Sequence, residues 1–253
     1  IRSFCIRVQT VHRYKYFCGR NRKTADKQEK REIKEDSMKD IFKVAIDGPS
    51  GAGKSTIAKA VAKNLGIDYV DTGAMYRAVG YKASSRGVSP EDREAVKHLM
   101  EDTDIDFADG DIILDGEIIN DKIRTPEISK AASLYSAIPE VREKLVEIQR
   151  KMGMRKSVIM DGRDIGTNVF RDAEYKIFLT ASAKERAERR FEELTAKGQK
   201  VDFDEVLRDI EKRDHDDMTR ALNPLRKAED AVEIDTTGLS IDEVIERVLK
   251  EIK

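Results

Sequence analysis

The chain has 253 residues, enough for one domain or one domain with an insertion, and its 48 basic side chains nearly balance its 49 acidic ones. The charge is divided unevenly, because residues 1–37 carry a net charge of +6 and the rest of the chain carries −7, which argues against general affinity for nucleic acid. No apolar run approaches about 18 residues, and both cysteines precede residue 37, so the sequence excludes a membrane-spanning helix and a disulfide framework in the body.

Residues 1–37 form a basic leader with few acidic residues, for which two interpretations are open. An Arg-rich, acid-poor segment is typical of an organelle transit peptide, although such peptides are usually rich in serine. We prefer the second interpretation, in which the leader is not translated. Met38 directly precedes the first predicted strand, and codons for Lys34-Glu35-Asp36 can contain a bacterial ribosome-binding sequence. The prediction is one domain over residues 38–253, and a peptide from the leader in a mass spectrum of the native protein would contradict it.

From residue 38 onward, strands alternate with helices. In chain order we predict the strand Phe42–Asp47, the helix Gly53–Leu65 ending at Gly66, the strand Ile67–Asp71, and the helices Ala74–Arg86 and Glu91–Met100, with Pro90 at the first helical position of the latter. Three short strands follow at Ile105–Phe107, Ile112–Leu114 and Glu117–Ile119. The Asp-Gly pairs between them predict an antiparallel meander.

The alternating pattern then returns. Its elements are the helices Pro126–Tyr135 and Pro139–Met152, the strands Ser157–Asp161 and Lys176–Thr180, the helices Ala183–Ala196 and Phe203–Asp216, the strand Ala231–Asp235 and the helix Ile241–Ile252. This order predicts an α/β fold, a doubly wound parallel sheet of five strands with helices on both faces. Residues 104–136 are predicted to form a small antiparallel subdomain inserted into it.

A phosphate-binding loop is predicted directly after the first strand, because Gly48–Ser55 match the pattern G-x-x-x-x-G-K-[ST] and open a helix. Glycines let backbone N–H groups surround a phosphate, and the helix N-terminus adds its positive end. Lys54 can reach the β- and γ-phosphates, and the Ser55 hydroxyl can bind Mg²⁺. The predicted nucleotide-binding residues are Gly48, Pro49, Ser50, Gly51, Ala52, Gly53, Lys54, Ser55 and Thr56.

The strand Ser157–Asp161 ends in a carboxylate, which would face the ligand crevice at the carboxyl edge of a parallel sheet. There Asp161 could hold a water bound to Mg²⁺, and we predict Ser55 and Asp161 as the metal site. The pattern alone leaves a second possibility open, an aspartate that only caps the end of the strand.

The acceptor of the phosphoryl group has to be read from the rest of the chain. The Asn-Lys-x-Asp motif that reads guanine in GTPase switches is absent from the sequence. Arginines occur at turn-like places outside amphipathic patterns, namely Arg77, Arg142, Arg163, Arg213 and Arg220. Because guanidinium groups bind phosphate through two parallel hydrogen bonds, these residues indicate an acceptor that itself carries phosphate.

Several segments resemble the bacterial cytidylate kinase family. They are Val44–Thr56 with the phosphate loop, Asp71–Arg77 (Asp-Thr-Gly-Ala-Met-Tyr-Arg), Ile123–Thr125 leading to Ala132-Ser133, Asp161–Thr167 (Asp-Gly-Arg-Asp-Ile-Gly-Thr) and Lys212–Asp214. The resemblance covers about residues 41–253, and the second and fourth segments are far more specific than the phosphate loop. The leader departs from the family pattern, which normally starts near Met38.

The resemblance implies transfer of the γ-phosphoryl group of ATP to CMP or dCMP with Mg²⁺, in a cytoplasmic monomer that binds neither nucleic acid nor membrane. It implies that Thr72, Tyr76 and Arg77 line the acceptor side. Arg163 and Arg220 would hold the acceptor phosphate and act in catalysis with Lys54. Ser133, Arg142 and Asp164 would bind the cytosine, and Arg213 and Asp217 would lie near the sugar. It also implies a short lid within residues 184–200, with Arg186, Arg189 and Arg190 as candidates for the triphosphate, and it likens the inserted meander to an acceptor-binding region.

An aspartate beside Arg and Ser complements cytosine, whose N4 amino group donates a hydrogen bond while N3 and O2 accept. Uracil presents an oxygen in place of that amino group. The sequence leaves open whether Asp164 or Asp217 meets it. No general base is needed, because the acceptor phosphate is already anionic, so catalysis is expected to rest on positioning and electrostatics with a closing lid.

Two other functions stay open from the residues alone. One is a related kinase that acts on UMP, AMP or a metabolite hydroxyl, which assays with a panel of acceptors would discriminate. The other is a nucleic-acid-binding regulator that uses ATP as a switch, although the basic leader lacks stacking aromatic residues interleaved over a basic face.

Overall fold

The computed structural model describes residues 41–108 and 110–252. The leader at residues 1–37 lies outside the described residues, and so does the choice between a transit peptide and an untranslated segment. Asp109, in the first predicted Asp-Gly turn, is outside them as well.

Five strands form the predicted parallel sheet. The strands of the described residues are β1 (Lys43–Asp47), β2 (Asp68–Asp71), β3 (Ile105–Ala108), β4 (Asp111–Leu114), β5 (Glu117–Ile118), β6 (Val158–Gly162), β7 (Tyr175–Thr180) and β8 (Val232–Asp235). The sheet has the order β2-β6-β1-β7-β8, and every neighbouring pair in it is parallel. The carboxyl ends of its strands therefore lie along one edge, where an open α/β sheet binds ligands.

Helices cover both faces of this sheet. They are α1 (Lys54–Leu65), α2 (Thr72–Ser85), α3 (Arg93–Glu101), α4 (Pro126–Ser136), α5 (Pro139–Gly153), α6 (Ala183–Ala196), α7 (Phe203–Thr219) and α8 (Ile241–Glu251). In β1, Val44 and Ile46 belong to an apolar cluster with α1 and α8, whereas Ala45 belongs to a cluster with α2 and α5. Burial on both faces explains the continuous apolar strand, and each buried Val or Ile contributes about 1.5–3 kcal/mol.

The inserted meander is present as a three-stranded antiparallel sheet in the order β3-β4-β5. Asp115 and Gly116 connect β4 to β5 with positive φ angles of 51° and 83°, which is the geometry that favours Asp-Gly in two-residue hairpins. Ile112 and Leu114 of β4 are buried in the same apolar cluster as α2. The meander is thus packed onto the helix that follows β2.

Two helix starts differ from the sequence prediction by two residues. Helix α3 begins at Arg93, because Asp92 accepts a hydrogen bond from the Ala95 N–H at 3.0 Å and caps it; Pro90 therefore precedes the helix. Helix α2 begins at Thr72, directly after β2, because Asp71 at the strand end caps it through the Ala74 N–H at 2.8 Å.

Two further features of the chain were not predicted. A π-helical turn occupies Ile165–Val169, directly after the Asp-Gly-Arg-Asp segment. Helices α6 and α7 form a hairpin around a small separate cluster of Ala187, Val206 and Ile210. None of the helices in the described ranges is long and apolar enough to cross a membrane.

Candidate active site

One cavity of about 680 Å³ opens at the carboxyl edge of the parallel sheet. The loop after β1 and the ends of β2 and β6 border it. Every site residue predicted from the sequence lines this cavity except Gly48 and Pro49, which lie at the start of the loop. Nine basic and five acidic side chains line it, so its walls carry an excess of positive charge that suits phosphate groups.

The phosphate loop has the conformation that its glycines predict. Gly51 and Gly53 have φ angles of 79° and 81°, in the left-handed region that side chains disfavour. Gly48 lies against β7, and a Cβ atom there would stand 1.9 Å from the Leu179 carbonyl oxygen. The loop therefore depends on these glycines for both backbone angle and close approach.

Lys54 is the first residue of α1, and its ammonium group donates a hydrogen bond to the Pro49 carbonyl oxygen at 2.7 Å. Its side chain is buried at the base of the cavity, with 6% exposure. Burial, and then the nearby Arg163 guanidinium, lower the pKa of Lys54 to about 7. An anion bound in the loop would relieve this unfavourable placement of a cation.

Asp161, at the end of β6, is held by three neighbours. Its Oδ2 accepts from the Ser55 hydroxyl at 3.0 Å, its Oδ1 accepts from the Tyr69 hydroxyl at 2.7 Å, and its carbonyl oxygen accepts from the Thr72 hydroxyl at 2.7 Å. Burial, followed by the charge of Asp71, raises the pKa of Asp161 to about 6. The carboxylate is thus oriented toward the first turn of α1.

Ser55 and Asp161 present oxygen donors of the kind that Mg²⁺ prefers. In the described ranges, no group of three or more His, Cys, Asp or Glu side chains is placed to hold a metal ion. Mg²⁺ is usually bound through one or two carboxylates, with water and substrate phosphates completing its shell. The donor set therefore fits a Mg²⁺ ion that arrives with a nucleotide.

Arginines from separate elements line the same cavity as the phosphate loop. Arg77 of α2 pairs with Asp71 at 2.8 Å, and the Nε of Arg163 pairs with Asp217 Oδ2 at 2.8 Å. The Nε atom of Arg213 is buried without a hydrogen-bond partner among the described residues. Burial, and then the charge of Arg163, lower the pKa of Arg213. This cluster is short of negative charge and hydrogen-bond acceptors, which an acceptor phosphate would supply.

A second corner of the cavity is formed by Tyr76, Arg142 and Asp164. The Arg142 guanidinium lies 5.6 Å from the centre of the Tyr76 ring, and it donates to Asp164 Oδ2 at 2.6 Å. Asp164 also accepts from Arg220 at 3.2 Å and from Asn168 at 3.1 Å. An aromatic face thus stands beside a donor–acceptor pair, the elements needed to bind the edge and face of a base.

Three of the arginines described as turn-like lie on helices, Arg77 on α2, Arg142 on α5 and Arg213 on α7. The description as turn-like was wrong for them, whereas the predicted helix bounds already contained all three, and their side chains line the cavity. Arg163 and Arg220 lie outside the helices, as predicted.

The predicted lid arginines line the cavity but already have protein partners. Arg186 is buried and donates to the Ser50 carbonyl oxygen at 2.9 Å and to Asp214 Oδ2 at 2.6 Å. Arg189 donates to the Thr236 carbonyl oxygen at 3.0 Å, and Arg190 donates to Glu193 at 2.7 Å. Arg186 therefore ties the phosphate loop to α7, a contact that no local pattern indicates.

Sequence reasoning missed several residues of the site. Leu239, Ile241 and Val244 give the cavity an apolar end beyond β8. Tyr69 and Asp47 support site residues from neighbouring strands. Asp47 and Asp71 end strands as Asp161 does, so the strand-end argument applied to Asp161 could have found them.

Comparison with known proteins agrees with this geometry. The family model described as Cytidylate kinase matches residues 44–253. A cytidylate kinase of Clostridioides difficile strain 630 is 54% identical over 209 residues, which are 83% of this chain and 97% of that protein. Cytidylate kinases of Caldicellulosiruptor bescii and of Clostridium perfringens (strain ATCC 13124) are 55% and 52% identical; the matches cover 82% and 83% of this chain, and 93% and 97% of those proteins.

Proposed function

The chain belongs to the cytidylate kinase family, whose members are nucleoside monophosphate kinases, and we propose that it transfers the γ-phosphoryl group of ATP to CMP and to dCMP with the help of Mg²⁺. The observation that carries this proposal is the single cavity that joins a phosphate loop to an under-neutralised arginine cluster. Two anion sites in one cavity suit a reaction between two phosphorylated molecules.

The donor nucleotide would occupy the loop after β1. Its β- and γ-phosphates would accept hydrogen bonds from the backbone of Gly48–Thr56 and from Lys54. The apolar end of the cavity, at Leu239, Ile241 and Val244, suits the adenine base. Ser55 and Asp161 would hold Mg²⁺, and bound there the ion would neutralise charge on the phosphate oxygens.

The acceptor phosphate would bind among Arg77, Arg163, Arg213 and Arg220. The charges of Arg163 and Asp217 act on the Lys54 ammonium group, which supports a role for both near the point of transfer. A second ion pair, Arg142 with Asp164, lies beside Tyr76. We therefore assign the cytosine edge to Asp164, with Arg142 and Ser133 beside it, and the sugar to Asp217, next to Arg213 at the phosphate.

Transfer itself would need no general base. An oxygen of the acceptor phosphate attacks the γ-phosphorus, the bond to the β–γ bridging oxygen breaks, and ADP leaves. Lys54, Arg163 and Arg220 would stabilise the charge on the transferring group. Ion pairs with Asp217 orient the two arginines, and the hydrogen bond to the Pro49 carbonyl oxygen orients Lys54. The lid within residues 184–200, a monomeric state and a cytoplasmic location stay predictions.

A coupled assay of ADP release from the full chain tests the proposal. With ATP and Mg²⁺, we expect turnover with CMP and dCMP, at least about tenfold less with UMP and AMP, and none after chelation of the metal. Equal rates with UMP would refute the assignment of the cytosine site. Absence of turnover with every monophosphate would refute the kinase assignment.

A further inference from the structure

The carboxylate of Asp47 ends β1, one residue before the phosphate loop, yet its hydrogen bonds run across the sheet edge. Oδ1 accepts from the Ile165 N–H at 2.9 Å, and Oδ2 accepts from the Gly166 N–H at 2.8 Å. The two donors are the first backbone groups of the π-helical turn Ile165–Val169. Asp47 thus binds this turn with both oxygens at once.

The turn begins immediately after Arg163 and Asp164. Those two side chains lie in the cavity, whereas Asp47 is not among the residues that line it. The backbone that carries them therefore has one end in β6 and the other end fixed by Asp47. Without the carboxylate, two buried N–H groups would lose their partners, and the turn could shift.

Packing around the turn leaves it little freedom in its present place. A Cβ atom added to Gly166 would stand 3.4 Å from Asp47 Oδ2 and 3.3 Å from the Lys176 side chain. The Asp47 side chain itself is 5% exposed. Burial, which outweighs the two backbone hydrogen bonds, raises the pKa of Asp47 to about 6. The charge of Lys54 also lowers this pKa, but both hydrogen bonds of the buried carboxylate come from backbone N–H groups of the turn, which fits a carboxylate that anchors it.

We propose that Asp47 is a positioning residue that fixes Arg163 and Asp164 relative to the phosphate loop, so that acceptor recognition depends on it while donor binding does not. The inference rests on the proposed function, because it assumes that these two residues bind CMP. It goes beyond that function by assigning a role in acceptor binding to a residue of the donor-side strand.

The first test is Asp47→Asn in the full chain, which keeps the volume but replaces one acceptor oxygen with an NH₂ group that faces an N–H. We expect the KM of CMP to rise at least tenfold while the KM of ATP stays within about twofold. Val44→Ala on the same strand is the control, since Val44 is fully buried near the other end of β1, in an apolar cluster that does not include Ile165. It should lower the melting temperature and leave both KM values within about twofold.

Gly166→Ala displaces the same turn by a different route, through crowding against Asp47 and Lys176. It should raise the KM of CMP in the same way. In the double variant, the KM of CMP should exceed that of either single variant, but by less than the product of the two single fold-changes. Hydrogen exchange of the Ile165 and Gly166 amides gives a readout without turnover, and it should accelerate in Asp47→Asn but not in Val44→Ala.

An unchanged KM for CMP in Asp47→Asn, or an equal rise in the KM values of CMP and ATP, would overturn the proposal. Unchanged amide exchange at the turn would overturn it as well. If the wild-type chain shows no reaction with CMP, the proposed function fails, and the exchange measurement still decides whether Asp47 anchors the turn.

Discussion

The two ends of the cavity are built in opposite ways. The proposed donor end is one continuous segment, Gly48–Thr56, whose backbone N–H groups and glycines would form the binding surface. The acceptor end is assembled from side chains of α2, α5, α7 and the segment after β6, and ion pairs between distant residues hold it together. Substituting a glycine should therefore disturb the whole loop and donor binding, whereas substituting one arginine should remove a single contact to the acceptor.

The largest effect is expected from Gly48→Ala at the donor end. The added Cβ would stand 1.9 Å from the Leu179 carbonyl oxygen, so the loop or β7 has to move. We expect loss of measurable ATP binding by calorimetry. Gly66→Ala is the matched control, because Gly66 also has a positive φ, of 65°, but faces open space, and it should bind ATP normally. Wild-type affinity in Gly48→Ala would contradict a donor site that depends on this close approach.

At the acceptor end, Arg213→Met should lower kcat/KM for CMP by about 100-fold, chiefly through KM, because it removes one donor to the acceptor phosphate. The KM of ATP should change by less than about twofold. The melting temperature should be equal or higher, since the variant removes a partly buried cation whose buried Nε lacks a partner among the described residues. Arg208→Met, exposed on the same helix, should leave kinetics unchanged. A parallel rise in the KM of ATP would show that the two ends are not separate.

Tyr69→Phe acts between the two ends, through the hydroxyl that donates to Asp161 at 2.7 Å. Loss of a hydrogen bond to a metal-ligating carboxylate commonly weakens metal binding by about tenfold or more. We expect the Mg²⁺ concentration for half-maximal turnover to rise about tenfold, with kcat at saturating Mg²⁺ reduced less than about twofold. Tyr175→Phe, on β7 against Phe42, serves as the control. An unchanged Mg²⁺ titration would show that the Tyr69 hydroxyl does not support the proposed metal site.

The smallest expected effect is the pH dependence of stability at Asp217. Burial raises the pKa of Asp217, but Arg163 and other arginines lower it more, so the folded value lies below the unfolded one. The ionised group therefore stabilises the fold above about pH 4, and that contribution is lost as the pH falls through the lowered value. Urea unfolding of Asp217→Asn should show a loss of about 1 kcal/mol at pH 7 that shrinks below about pH 4. A difference that grows toward low pH would contradict the ion pair with Arg163.

The contrast between the ends also explains what the sequence could predict. The donor end follows from local rules, since Gly48, Lys54 and Ser55 lie in one strand–loop–helix segment with a known spacing. The parallel sheet and the meander likewise follow from periodicity and Asp-Gly turns. The arginines of the acceptor end were singled out residue by residue, and the family resemblance supplied their roles.

What could not be predicted depends on contacts between distant residues. The pairs Arg142–Asp164 and Arg186–Asp214 join residues 22 and 28 positions apart, and no local pattern encodes them. Asp47 reaches Ile165 across 118 positions, and it meets backbone groups of a π-helical turn for which the sequence has no signal. The predicted helix Pro139–Met152 already contained Arg142, but no local pattern indicated that its side chain pairs with Asp164.

A competition between two acceptors tests whether the acceptor end recognises cytosine through hydrogen bonds with side chains. The full chain is supplied with ATP, Mg²⁺ and an equimolar mixture of CMP and UMP, and the early products are separated by chromatography. The ratio of CDP to UDP then equals the ratio of the two kcat/KM values. We expect at least about tenfold more CDP than UDP, because Asp164 would accept a hydrogen bond from the amino group of cytosine and would face an oxygen in uracil. Equal amounts of CDP and UDP would contradict it.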